Sequence, residues 1–411
     1  MRGAIGKWNP RLPRSVWLLE SGVLVQSFGA GVAFAFLVIY LHNVRGFSLS
    51  TAGLVIAVMG ALGLVSAAIA GPIVDRVGAR ATLTTSLVLG AVAYGLFPLV
   101  HDPWQAFALA VLAGAGSGWF WTSHPAILAA LCPPERRHTA WALQRGAYSL
   151  GLGLGGLTGG LIASTEQPAT FTVLFLLTAG ANAVFVVLLR FLPVPPREVA
   201  GGERAHGGYR AVLRDRPFMA IILVNMVLVS AGYTQLELLP VFAKNEAGVS
   251  EDQIGLLFLV SSLVLIVFQL PVARLLEGRS RMRAFALMPL LWAVAWMIVL
   301  VAGVWLEASA AALVLGVAVA VFSLGECLDG PTRGALVADL APPDLRGRYW
   351  ALVSNSWDIG YIVGPAIGGL ILSVAPLALW PLAAGVCLLG ALAAVGIERL
   401  VPPRLRLTPT A

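Results

Sequence analysis

Apolar residues run along this chain in blocks separated by short polar and charged stretches. A helix needs roughly 20 apolar residues to cross a hydrocarbon layer. The pattern therefore predicts twelve spans, near 15–41, 51–73, 81–100, 104–131, 140–163, 169–192, 217–243, 252–276, 284–305, 310–338, 349–373 and 377–398. Gly and Pro occur inside the blocks without ending them, which a helical bundle tolerates because neighbouring helices re-satisfy freed backbone groups. The expected fold class is an all-α integral membrane protein.

Composition agrees: 58% of the 411 residues are apolar and 11% charged, too little polar surface to cover a water-soluble domain. The net charge of +7 acquires meaning from its placement. If the tails and alternate loops face one side, they hold 23 of the 27 Lys and Arg residues, whereas the opposite loops hold only Arg45 and Lys244. Positive residues gather on the cytoplasmic side, so both termini are expected there, in the plasma membrane, and the charge is an orientation signal; no nucleic-acid partner is expected. The N-terminus runs into its first apolar block without a small-residue cleavage site, which reads as an uncleaved span. Cys132, Cys327 and Cys387 lie apart with no metal-binding or disulfide spacing. No nucleophile elbow, zinc spacing or phosphate loop is present, so neither enzyme activity, cofactor nor metal is expected.

A stretch rich in Pro, Gly and Arg at 193–216 divides the chain into halves of six spans, 1–192 and 217–411. The halves repeat. Pro133-Pro134, Trp141-Ala142-Leu143, Gly151, Gly155, Gly159-Gly160 and Ser164 recur, at a constant offset of 209, as Pro342-Pro343, Trp350-Ala351-Leu352, Gly360, Gly364, Gly368-Gly369 and Ser373. Such repeats in a hydrophobic chain mark transporters whose two bundles enclose a midplane site.

The run from Gly71 through Asp75, Arg76 and Gly78 to Arg80, between spans two and three, resembles the signature loop of the major facilitator superfamily. The fifth-span glycines Gly151, Gly155, Gly156, Gly159 and Gly160 are similar to its antiporter-type motif, with Gly156 where Pro is usual; Pro365 supplies that Pro in span eleven. Tyr233-Thr234-Gln235 and the Glu326–Asp339 stretch resemble bacterial multidrug and small-metabolite exporters. Proton-coupled drug antiporters usually carry an Arg in span four, where this chain has Ala110. The resemblance implies two six-helix bundles alternating access to a small solute, with proton-coupled efflux as the leading expectation, nutrient uptake as its rival, and a non-transporting receptor or assembly partner as a reading of another class. Expected partners are a small-molecule substrate, protons and the lipid bilayer, with the chain a monomer.

Candidate residues follow from cost and spacing. Charges inside spans cost roughly 2.5–3.5 kcal/mol each at the centre, so they face a cavity or a partner. Glu326, Asp329 and Arg333 fall on one stripe of span ten, with Asp329 and Arg333 spaced to pair and Asp358 at a depth to join them. Glu20 and Arg145 share a depth and form a second expected pair. That leaves Glu326 and Glu237 without an obvious partner, as candidate proton or substrate carboxylates. His124 stands at the repeat position of Arg333, where a satisfied structural role is the commoner reading of a lone His and a place in the pathway the other. Aromatic surface for an amphipathic ligand is available from Trp119, Phe120, Trp121, Tyr233, Trp357 and Tyr361, with Tyr233, Gln235 and Trp357 the preferred contacts. The resemblance implies that Asp75 meets the other half near the helix start at Tyr349 and near Arg136 or Arg137, forming with Gly71, Arg76 and Gly78 a cytoplasmic gate; Arg274 occupies the corresponding place in the second half, so the latch is expected to be one-sided. The glycine faces Gly151, Gly155, Gly159 and Gly360, Gly364, Gly368 permit close helix approach; by the same resemblance the first of them is expected to meet the other half.

Overall fold

The computed structural model describes residues 12–164, 166–193 and 208–409. The first half comprises α1 Arg14–Ile39, α2 Leu49–Val77, α3 Ala79–Leu96, α4 Pro103–Leu131, α5 Arg137–Ile162 and α6 Ala169–Arg190. A short helix α7, Gly208–Arg214, precedes α8 Arg216–Ala231, α9 Leu239–Asn245, α10 Glu251–Leu275, α11 Arg281–Trp305, α12 Ala308–Asp329, α13 Ala335–Leu340, α14 Arg346–Val374 and α15 Leu379–Ile397. Most of the predicted linker 193–216 lies outside the described residues. Ten helices, followed through their breaks, are long and apolar enough to cross a membrane. Those ten, among the described residues, do not include α4 and α5, which are long enough at 29 and 26 residues but whose apolar content is diluted by Gly, Ser and Trp in α4 and by His138, Gln144 and Arg145 in α5.

Two predicted spans are interrupted. The seventh stops at Ala231, passes through a 3-10 turn at Tyr233–Glu237 and resumes as α9. The tenth widens into a π turn at Gly330–Gly334, where Pro331 brings no N–H to the helical ladder. The turn between α2 and α3 requires a glycine: Gly78 has φ 105°, a backbone region that favours residues without a Cβ.

Both halves pack by one scheme. α1 lies against α5 and α6, α4 against α2 and α3, and α3 against α6; correspondingly α8 lies against α14 and α15, α12 against α10 and α11, and α11 against α15. Across the halves α2 meets α14 and α5 meets α10, which are the same contact seen from either side of a pseudo-two-fold. A residue that touches its own repeat mate sits on that axis, and Trp141 stacks on Trp350 with ring centroids 4.7 Å apart.

Three apolar clusters form the interior among the described residues. One, around Phe97, Phe171 and Phe175, belongs to the first half, and one, around Trp292, Trp296 and Trp380, to the second. The third joins Val16, Leu83, Phe185 and Trp141 to Phe218, Leu345, Tyr349 and Trp350, so the halves fuse there. This junction lies at the end of the bundle carrying Arg137, Arg281 and Arg348, hereafter the basic end.

The glycine faces work within each half, correcting the expectation that the first of them meets the other half. A Cβ on Gly151, Gly155 or Gly159 would strike Ser27, Phe28 or Phe36 of α1, and one on Gly360, Gly364 or Gly368 would strike Val229 of α8 or Thr234 and Gln235 of the turn after it. Backbone-to-backbone approach gains dispersion contacts that a side chain would prop apart. Gly155→Leu should therefore lower the midpoint of thermal unfolding in detergent by forcing α1 and α5 apart, at a cost of at least ~1–3 kcal/mol. Gly156→Ala, where added volume meets nothing within 4 Å, should melt like the parent.

Candidate functional site

The first-half and second-half charges meet at mid-depth. Arg145 of α5 forms an ion pair with Glu326 of α12, and its guanidinium donates a second hydrogen bond to the Tyr233 hydroxyl at 3.2 Å. Glu326 is 4% exposed and Arg145 is 23% exposed at the side chain, so the guanidinium is the member that faces the open space. Tyr233 is fixed by rings on several sides: Trp357 at 5.2 Å, Tyr361 at 5.8 Å, Phe322 at 5.9 Å and Trp292 at 6.0 Å. The 3-10 turn after α8 brings Tyr233 to this position, because breaking the helix re-aims the side chains that follow Ala231. Arg145, Asn225, Tyr233, Trp292, Glu326, Asp329 and Trp357 line a cleft with about 10 Å³ of free space, near the room that one water occupies. Beside it, Arg333 grips Asp329 through two hydrogen bonds of 2.7 and 2.6 Å and lies 5.5 Å from the Trp357 ring.

The basic end is locked by charges that also cross the halves. The Asp75 carboxylate accepts from the Gly347 N–H at 2.7 Å, in the first turn of α14, and from Arg348 at 2.8 Å. A carboxylate at a helix N-terminus is stabilised by the unsatisfied N–H groups there. Gly71 and Gly347 let the two backbones touch: a Cβ on Gly347 would meet the Gly71 carbonyl, and one on Gly71 would meet Arg348 and Ala351. Asp339 is shared by Arg137 of α5 and Arg281 of α11, the latter at 2.6 Å. Arg137 also donates to the Ala338 and Ala129 carbonyls at 3.2 and 3.0 Å. His138 lies 3.4 Å from Glu277. Tyr209 of α7 donates to the Ala68 carbonyl; burial pushes its hydroxyl up to about 12, so it remains a donor at any physiological pH. Trp141 seats over Gly330 and Gly334, where a Cβ would meet its carbonyl or its ring.

Several expected pairings are different. Arg145 reaches Glu326 and not Glu20, so Glu326 has a partner. Glu20, 2% exposed, faces His124 at 3.3 Å inside the first half, and His124 stacks on Phe120 at 5.6 Å. Asp329 and Arg333 do pair, but Asp358 faces Ser354 one turn earlier on its own helix. Asp75 takes Arg348, while Arg137 goes to Asp339; Arg136 is half-buried on its 3-10 turn and Arg76 is exposed in the last turn of α2. Gln235 is 3% exposed behind Gly368, with its amide donating to the Ser230 carbonyl at 2.9 Å, and is not among the residues lining the cleft. Glu237 is exposed at the end of its 3-10 turn. Sequence reasoning misses Arg348, Arg281, Glu277 and Tyr209. Arg348 carries a local signal, standing one residue before the predicted helix start at Tyr349; the other three lie in connecting segments that carry none.

Two repeat-related helical halves, fused at one end and sharing a charged aromatic cleft at mid-depth, define a membrane carrier. The Major Facilitator Superfamily model matches residues 19–244 and 233–411, and the chain belongs to that superfamily. It is a multi-pass membrane transporter. It is 27% identical over 358 residues to the uncharacterized MFS-type transporter YhjO of Bacillus subtilis (strain 168), covering 86% of this chain and 85% of that one. It is also 27% identical over 309 residues to the multidrug resistance protein MdtH of Enterobacter sp. (strain 638), covering 73% and 72% respectively. Among solved structures, the superfamily transporter FucP in its outward conformation superposes with a TM-score of 0.78 over 93% of this chain and 98% of that one, at 15% identity.

Proposed function

We propose that this protein exports a small hydrophobic or amphipathic solute by alternating access, with the two six-helix halves rocking as bodies and a proton carried on Glu326. The basic end faces the cytoplasm of a plasma-membrane protein, in keeping with the Lys and Arg bias, and the state described here is sealed on that side. The observation that carries the reading is the Arg145–Glu326 pair, because it joins the two halves at an aromatic cleft lined from both. A proton arriving from the outer side converts the Glu326 carboxylate to the acid, removes half of the ion pair and frees the halves to separate at the basic end. Solute then enters from the cytoplasm onto Tyr233, Trp357 and Trp292, and the proton leaves to that side as the pair re-forms. The relatives named as multidrug resistance proteins favour this solute class.

Proteoliposomes carrying the protein should accumulate or release members of a mixed dye and metabolite panel, several-fold faster under an imposed pH gradient than without one. Equal flux in protein-containing and empty vesicles would sink the proposal.

A further inference from the structure

The C-terminal segment after α15 turns back along the basic end. Its backbone pairs with the loop between α10 and α11: Gly278 N–H donates to the Thr408 carbonyl at 2.9 Å, Thr408 N–H to the Arg279 carbonyl at 2.9 Å, and Arg281 N–H to the Arg406 carbonyl at 2.8 Å. Ser280 and Leu407 thus form an antiparallel bridge. Thr408 is 1% exposed, so the segment is seated rather than draped over the surface. Arg406 holds the turn by donating to the Val401 carbonyl at 3.0 Å and the Arg399 carbonyl at 3.3 Å. Ser280 is tied to the same region, donating to Glu398 at 2.8 Å.

The loop held in this way supplies two side chains of the basic-end lock. Glu277, immediately before the paired stretch, faces His138 of the first half. Arg281, inside it, holds Asp339, the carboxylate that Arg137 of the first half also grips. The loop has no other regular structure, since it runs as turns between α10 and α11. Charge-assisted hydrogen bonds depend steeply on geometry, so whatever fixes the loop backbone fixes how well these two groups meet the other half.

We infer that the C-terminal segment Val401–Pro409 is a positioning element of the cytoplasmic gate: by pairing with loop 277–281 it sets Glu277 and Arg281 so that the halves close at the basic end. This inference rests on the alternating-access reading only for its consequence in transport; the effect on closure stands independently of substrate and proton.

The test uses the full-length protein in lipid nanodiscs, with spin labels on cysteines placed at exposed Glu135 of the first half and exposed Pro343 of the second. Native Cys132, Cys327 and Cys387 are buried and compete little for label. The parent should show mainly the short distance. A chain ending at Pro402 should raise the ratio of long to short distances roughly tenfold, the scale expected when one charge-assisted hydrogen bond is broken. Thr408→Pro, which removes one pairing N–H without deleting anything, should move the ratio the same way, whereas Thr408→Val should leave it unchanged because the hydroxyl has no hydrogen-bond partner. In a Glu277→Gln background the truncation should add less than its full effect, since both act in part through the Glu277–His138 contact. A parent-like distance distribution in Thr408→Pro, or full additivity with Glu277→Gln, overturns the inference even if transport fails for another reason. Should the truncated chain fold poorly, the two Thr408 variants still decide the matter.

Discussion

Glu326→Gln should abolish transport driven by a pH gradient while leaving the amount of folded protein close to that of the parent. Glutamine keeps the shape and an oxygen that can accept from Arg145 and Tyr233, so the packing around α12 survives. It cannot alternate between charged and neutral forms, and Arg145 loses its counter-charge in a site where Glu326 is 4% exposed. A hydrogen bond involving a charged group contributes roughly 1.5–3 kcal/mol, so the equilibrium between states should also move by about ten- to a hundredfold. Flux into proteoliposomes with and without the gradient measures the first effect, and gradient-driven flux equal to the parent's would remove Glu326 from the mechanism. Arg145→Ala should be harsher, because an unpaired buried carboxylate costs about 3–5 kcal/mol. Yield should recover partly in Arg145→Ala/Glu326→Ala, where neither charge is stranded, and a double-mutant cycle separates this coupling from loss of packing.

Asp75→Ala should open the basic end. The carboxylate holds the Gly347 N–H and the Arg348 guanidinium together, and Arg348 is 9% exposed, so removing it leaves two donors facing each other with little water. The loss is on the order of 3 kcal/mol, roughly a hundredfold change in the ratio of closed to open forms. Hydrogen exchange at the Gly347 amide reads this directly, and it should quicken by about that factor; unchanged protection would show that the touching backbones of Gly71 and Gly347 hold the seal alone. Because Asp75 is held by Gly347 and Arg348 and Glu326 by Arg145, with no partner in common, the two substitutions should separate: Asp75→Ala alters closure with the cleft pair intact, and Glu326→Gln alters coupling with the basic-end lock intact.

The linear order of residues carries everything that a single helix or a single repeat can express. Blocks of apolar residues place most helix boundaries within a few residues of those observed, as with 104–131 against Pro103–Leu131. The constant offset that matches Trp141 to Trp350 picks out a pair that meets on the pseudo-two-fold, and Asp75 is expected at the start of the helix it does contact. Asp329 and Arg333 are legible because a helical turn brings residues four apart onto one face.

Which charges meet is settled by packing in three dimensions. Glu20 and Arg145 share a depth, yet they take His124 and Glu326 instead. Depth along the membrane normal is written in sequence position; rotation of one helix about its axis relative to another is set by the grooves and ridges of its neighbours. The Arg145–Glu326 bond spans 181 residues, and its formation depends on how α5 and α12 are turned when the halves close. The glycine faces show the same limit: their spacing announces close approach, and the partner, α1 or α8 rather than the opposite half, follows from which grooves are free to receive them.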